Sequence, residues 1–190
     1  MTAIDVVAVG ASLGGLQAVQ TMLRCIPADF GASVVLAQHR RPDPDSMLVS
    51  LLAKHCVLPV VEPEDKTPLL PNHVYLAPSD YHLLVGPGHL ALSIDPPVCY
   101  ARPSIDVLFE SVADAYGGAA IGVVLTNSNE DGAMGAVAIK RAGGKVYVQD
   151  PQTAESPIGP RAVLASTPVD GVLGVEALAE ELVKLCRVRG

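Results

Sequence analysis

Tryptophan is absent from this chain, and two phenylalanines and five tyrosines make up an aromatic share of only 4% of 190 residues. That leaves little for the aromatic platforms on which nucleic-acid bases stack. Excess positive charge is lacking too: 13 Lys and Arg stand against 20 Asp and Glu, a net charge of −7. This balance argues against nucleic acid and against anionic membrane surfaces as partners. No uninterrupted apolar run reaches the length of a membrane span, and Asp5 breaks the N-terminus where a signal peptide would be apolar. Membrane insertion is therefore not expected. The four cysteines, Cys25, Cys56, Cys99 and Cys186, contain no C-x-x-C pair. Neither a zinc site nor a disulfide framework is signalled, and free thiols in a reducing cytoplasm are the expectation.

With 49% apolar residues over 190 positions, the chain is long enough for one well-buried domain over residues 1–190. Its organising stretch is Asp5-Val6-Val7-Ala8-Val9-Gly10-Ala11-Ser12-Leu13-Gly14-Gly15. A β-branched run of strand length breaks at a glycine, and Leu16, Val19, Leu23 and Ile26 then recur at helical spacing. Strand, G-x-S-x-G turn and helix form the nucleophile-elbow pattern, which lifts a serine hydroxyl clear of a sheet edge. The free N–H groups at the helix start can hold a developing oxyanion. The same residues also fit a glycine-rich turn with an N-capping serine. A dinucleotide fingerprint fits less well, because Ser12 occupies the place of its middle glycine and Gln38-His39 the place of its acid. The G-K-[ST] of a phosphate-binding loop is absent.

The pattern along the chain predicts a three-layer, doubly wound α/β fold. A second strand, Ser33–Gln38, forms a βαβ unit with the first, so both end on one sheet edge. A helix is expected from about Asp45 to Lys54 with Met47, Leu48, Leu51 and Leu52 inward, then a short strand near Val57–Val61. Nine of the sixteen prolines fall between Pro59 and Pro103, which disfavours long helices there. A strand at His73–Ala77 precedes a hairpin pairing Tyr81–Val85 with Leu90–Ile94 across Gly86-Pro87-Gly88, an elaboration that would make the sheet mixed. Ser104 caps a helix over Ile105–Ala115, with Asp106 suiting its dipole. Ala120–Thr126, almost wholly apolar, belongs in the middle of the sheet. A helix over Ala133–Ala142, a strand over Lys145–Gln149, a proline-rich loop to about Arg161 and a helix from Val175 to Val188 complete the chain. In that last helix Leu178, Leu182 and Leu185 share one face.

A hydrolytic serine needs a base, and the base needs an orienting group. Of five histidines, only His39 directly follows a strand parallel to the one that feeds Ser12; His73, His82 and His89 fall in the hairpin region, where surface positions are usual. Asp131, after the buried strand, is the leading acid, with Glu130 and Asp150 as alternatives. Asp131 could instead serve only as the N-cap of the helix from Ala133. The order Ser, His, Asp differs from that of α/β-hydrolases and points to a separate fold using the same chemistry.

These motifs resemble the catalytic domain of the chemotaxis protein-glutamate methylesterases, the CheB family. The matching pieces are V-x-V-G-A-S-L-G-G at Val7–Gly15, Q-H at Gln38-His39, R-P-S-I-D-V-L-F at Arg102–Phe109, G-V-V-L-T…D-G-A-M-G at Gly122–Gly135 and A-G-G…V-Q-D at Ala142–Asp150. They follow the family's order through nearly the whole chain. The resemblance implies Ser12 as nucleophile, His39 as base and Asp131 as orienting acid, with no metal or organic cofactor. It implies as substrate the glutamyl methyl esters on a chemoreceptor's cytoplasmic region, with glutamine deamidation as a related reaction. Leu13 and Ser128 are candidates for the oxyanion site, and Arg40, Arg41 and Arg102 for contacts with an acidic receptor. The chain departs from the family where Asn127-Ser128-Asn129 replaces G-M-G, Leu13 replaces threonine, and Arg40-Arg41-Pro42 replaces M-P. The family's receiver domain is not expected in this chain, so a separate receiver or regulatory protein is an expected partner. The altered loop also supports an alternative, a catalytically weak signalling or binding module of the same fold.

Overall fold

A computed structural model describes residues 4–40 and 47–186. Its strands are β1 (Val6–Ala11), β2 (Ser33–Gln38), β3 (Val60–Val61), β4 (Val74–Leu76), β5 (His82–Gly86), β6 (His89–Ser93), β7 (Ala120–Val124), β8 (Lys145–Gln149) and β9 (Gly171–Leu173). The helices are α1 (Gly15–Arg24), α2 (Met47–Ala53), α3 (Ile105–Tyr116), α4 (Ala133–Arg141), α5 (Ile158–Ser166) and α6 (Val175–Cys186). Seven strands form one sheet in the order β3-β4-β2-β1-β7-β8-β9. Every pairing among them is parallel.

Alternating side chains of the central strands feed two separate cores, as a sheet covered on both faces requires. Val7, Val9 and Ala11 pack with Val19, Met22 and Leu23 of α1 and with Leu178 and Leu182 of α6. Val6 and Ala8 pack on the other face with Leu108, Phe109 and Val112 of α3, Ala136 and Ile139 of α4, and Val163 of α5. The predicted three layers are present, and β7 sits centrally with all its residues buried.

Four expectations need correction. The hairpin does not make the sheet mixed: β5 and β6 form a separate two-stranded sheet, bridged at His89 to Pro68, and lay Leu83, Val85 and Leu90 into the core beside α3. Met47 is exposed rather than inward, and only Leu52 of α2 is buried. The strand near Val57–Val61 shrinks to Val60–Val61. The proline-rich segment before Arg161 already contains helix α5, whose prolines occupy its N-cap (Pro157) and first turn (Pro160), where no amide donor is needed. Neither α5 nor the edge strand β9 is foreseen by pattern. The expected helix start at Asp45 and the end at Val188 lie outside the described residues, as does Arg41.

Parallel register brings distant sequence together. Ala11 pairs with Gln38 and Gly10 with Val124. The ladder runs on past the strand ends: His39 N–H donates to Ala11 O at 2.9 Å, Leu125 N–H to Gly10 O at 2.9 Å, and Ser12 N–H to Thr126 O at 3.0 Å. Ser12, His39 and the loop after β7 therefore share the carboxyl edge, where open α/β sheets place their sites.

Candidate active site

The serine is held by a turn that only glycine permits. Gly15 N–H donates to Ser12 O at 2.9 Å, closing the turn tightly. Gly14 has φ +73, and a Cβ there would meet Glu155 Oε2 at 2.5 Å. At Gly15 a Cβ would lie 2.7 Å from both the Ala11 Cβ and Gln38 Oε1. The Gln38 carboxamide braces the same turn, its Nε2 donating to Ser12 O at 2.9 Å and to His39 O at 3.2 Å. Ser12 does not cap α1; the N-cap is Gly14, with no side-chain bond.

Asp131 is wholly buried, and both its oxygens are saturated. Oδ1 accepts from Ser104 Oγ at 2.8 Å and from Asp106 N–H at 2.9 Å. Oδ2 accepts from Ile105 N–H at 2.7 Å and faces His39 Nε2 at 2.7 Å. The carboxylate thus caps α3, not the helix that follows it. In return Asp106, in the first turn of α3, accepts from the N–H groups of Gly132 and Gly135 at the start of α4, at 2.9 and 2.7 Å. The two helix starts are cross-capped, and the exchange places Asp131 under the imidazole. Burial alone would raise the Asp131 pKa, but the bonds from His39, from the amides of Asp106 and Ile105 and from Ser104 hold it below the ordinary carboxylate value. An ionised carboxylate can only accept, so the imidazole carries its proton on Nε2. Nδ1 has no hydrogen-bond partner among the described residues and, in the neutral ring, is the nitrogen left to accept a proton.

Ser12 and His39 line one open cavity of about 1400 Å³, together with Leu13, Arg40, Arg102 and Ser128. Its walls also include Gln17, Gln20 and Arg24 of α1, and the turn carrying Cys99 and Tyr100. The Ser12 hydroxyl bonds to Ser128 Oγ at 3.3 Å; no hydrogen bond joins it to His39 in this conformation. Catalytic bonds of this type are often long before substrate arrives. Leu13 is exposed at the mouth, its carbonyl held by Thr126 Oγ1 at 2.8 Å.

The arginines are less available than expected. Arg102 donates to Asp80 Oδ1 from Nε and Nη2 (3.1 and 2.6 Å) and from Nη1 to the carbonyls of Ile94 and Asp95 (2.9 and 3.1 Å). It staples the hairpin to the rim rather than reaching outward. Arg40 pairs with Glu62 at 2.6 Å and is mostly buried. Glu130 is exposed and Asp150 is engaged in its own turn, so neither competes with Asp131. His82 is buried, not on the surface: it accepts the Ser104 N–H through Nδ1 at 3.2 Å and helps fix the α3 start. Cys99 Sγ and carboxylate oxygens of Asp106 and Asp131 lie within 4.8 Å of one another. The Asp131 oxygens already accept four donors, and burial with the neighbouring carboxylates pushes the Cys99 thiol up, so this cluster is poorly set to ligate a cation.

Sequence reasoning read Ser104 only as an N-cap and missed its bond to Asp131, along with the α3 amides and Asn127, whose buried side chain donates to Asp131 O at 2.8 Å. The R-P-S-I-D piece held a signal for the first two: an N-capping serine beside an acid, in a segment that must meet the helix after β7.

A doubly wound parallel sheet presenting a serine elbow beside a carboxylate-bound imidazole defines a protein of the serine-hydrolase kind. The comparisons with known proteins agree. The family model described as CheB methylesterase matches residues 7–182, and the chain belongs to that family. A putative protein-glutamate methylesterase/protein-glutamine glutaminase of Leptospira interrogans is 40% identical over 95% of this chain and 94% of its own length. The similarly named protein of Trichodesmium erythraeum is 35% identical over 95% of this chain. The chain spans only about half the length of that relative, 53%. Among solved structures, the CheB methylesterase catalytic domain of Thermotoga maritima superposes with a TM-score of 0.91 at 30% identity, covering 97% of this chain and all of that one.

Proposed function

We propose that this protein hydrolyses glutamyl methyl esters on the cytoplasmic region of methylated chemoreceptors, with Ser12 as nucleophile. The observation that carries this reading is the bond from His39 Nε2 to the ionised Asp131 at 2.7 Å, one strand over from the Ser12 turn. In the reaction the Ser12 hydroxyl turns from Ser128 toward the imidazole, passes its proton to Nδ1 and attacks the ester carbonyl. Asp131 holds the imidazolium in place. Backbone N–H groups of Leu13 and Ser128 face the oxyanion, a contribution of about 3 kcal/mol per donor by analogy with measured sites. The imidazolium returns the proton to the departing methoxide, releasing methanol. Water, activated by the same nitrogen, then cleaves the acyl-serine to give the glutamate carboxylate. Replacing methoxide by amide gives the glutaminase reaction that the relatives' names include. The reading places the protein in the cytoplasm with its substrate; no helix among the described residues is long and apolar enough to cross a membrane.

The alternative, a module with little turnover, draws on the Asn127–Asn129 loop. Mass spectrometry of a methylated receptor fragment separates the two. Wild type removes methyl groups and Ser12→Ala does not; equal methyl loss in both refutes the nucleophile. Labelling by a serine-directed fluorophosphonate, fast in wild type and slowed at least a hundredfold in His39→Ala, is the companion result for the base.

A further inference from the structure

The loop that departs from the family pattern carries a hydroxyl against the nucleophile. Ser128 Oγ lies 3.3 Å from Ser12 Oγ, and its neighbours on both sides are anchored. The Asn127 backbone donates to Ser156 O at 3.1 Å and accepts from Gly159 N–H at 3.0 Å, while its side chain donates to Asp131 O. Asn129 accepts from Asp131 N–H through Oδ1 at 3.1 Å and donates from Nδ2 to Cys99 O at 3.2 Å. Asn127 Oδ1 also accepts the Asn129 N–H at 3.3 Å. Ser128 is therefore the tip of a loop with both flanks fixed, and its exposed side chain projects at the cavity wall.

We infer that Ser128 is a catalytic residue of this chain: its hydroxyl donates to the oxygen charge that develops as Ser12 attacks. The inference rests on the esterase reading above and adds a side-chain donor to the backbone amides named there. A hydroxyl can accept from Ser12 at rest and, by rotating its O–H, donate once the carbonyl oxygen becomes anionic. A bond of 3.3 Å between neutral hydroxyls is weak, whereas a bond to an oxyanion is short and about twice as strong. The interaction is thus stronger in the transition state than in the ground state, which is the condition for raising kcat rather than lowering KM. No atom is transferred to or from Ser128; its proton is shared with the oxyanion and returns when the tetrahedral intermediate collapses.

The test compares the whole chain as wild type, Ser128→Ala and Ser128→Thr, following methanol release from a methylated receptor fragment, with Ser12→Ala as the blank. Ser128→Ala lowers kcat roughly ten- to hundredfold with KM changed less than twofold, and Ser128→Thr, which keeps the hydroxyl, stays within about threefold of wild type. Thermal midpoints within a few degrees of wild type show that the loop keeps its fold. A Ser128→Ala kcat within twofold of wild type, a loss confined to KM, or a Ser128→Thr loss as large as that of Ser128→Ala overturns the inference. A wild-type rate no greater than the Ser12→Ala blank overturns the esterase reading instead.

Discussion

A single carboxylate, Asp131, divides its lone pairs between the start of α3 and the His39 imidazole. Its Oδ1 is spent on Ser104 and the Asp106 amide, and its Oδ2 is divided between the Ile105 amide and the imidazole. Asp131→Asn must set an NH2 against two of these donors. Leaving them unsatisfied costs about 2–4 kcal/mol, and the loss of imidazole orientation lowers kcat by about three to four orders of magnitude. Urea unfolding and methanol release check the two losses separately; a variant that loses activity without stability contradicts the shared role. Asp106 titrates in the opposite sense from Asp131. Its carboxyl is pushed up to about 6, by burial first and with help from the Asp131 charge, against the amides of Gly135 and Gly132. The folded chain therefore holds this proton more tightly than the unfolded chain, whose pKa is near 3.8. Stability from this group is fully present below about pH 4 and falls by about 3 kcal/mol as pH rises to 6 and beyond. Asp131, with its lowered pKa, contributes above pH 4 and loses that contribution on acidification. In Asp106→Asn the carboxamide oxygen still accepts both glycine amides, so the fall between pH 4 and 6 flattens. Thermal midpoints across that range measure it, and an unchanged slope refutes it. Both acids are visible in the sequence as residues beside helix starts. Their exchange of helices is not, because it depends on α3 and α4 packing with their first turns side by side.

Among the elements, β1 and its turn are legible because chain neighbours alone shape them: a β-branched run, a positive φ at Gly14 and a close approach at Gly15. The same holds for α3, whose N-cap Ser104 accepts from Val107 N–H at 3.4 Å. Where an element depends on distant contacts, pattern fails. The hairpin strands alternate as sheet strands do, but only packing shows that they lie beside α3 and not on the sheet edge. The rim turn Val98–Ala101 is a further case. Val98 and Ala101 exchange both backbone bonds, at 3.1 and 2.8 Å, with Cys99 and Tyr100 at φ 49 and 62 between them. A two-residue hairpin loop with both φ positive favours Asn-Gly, and strain of this kind costs about 1–3 kcal/mol per residue. Tyr100 is fully exposed, so no core contact offsets it. The double variant Cys99→Asn with Tyr100→Gly raises the unfolding free energy by about 1–2 kcal/mol in urea titration. An unchanged or lower value shows that the side chains hold the turn by contacts of their own.

Across the whole molecule, two cores on either side of one parallel sheet fix the strands in register, and register decides which residues meet. Ser12 and His39 are 27 positions apart, and Asp131 a further 92 along, yet β1 and β2 end level and β7 delivers its loop beside them. Composition and local pattern by themselves determined the fold class, the serine turn and the parallel βαβ unit, because β-branched runs, glycine sites and helical periodicity act through neighbours in the chain. The tertiary structure alone decided that Asp131 caps another helix, that Arg102 is a staple, that His82 is buried, and that Ser128 rather than His39 holds the resting hydroxyl. Those outcomes are hydrogen bonds across long sequence separations, and a side chain's partner there is set by how helices and strands pack, which no local pattern encodes.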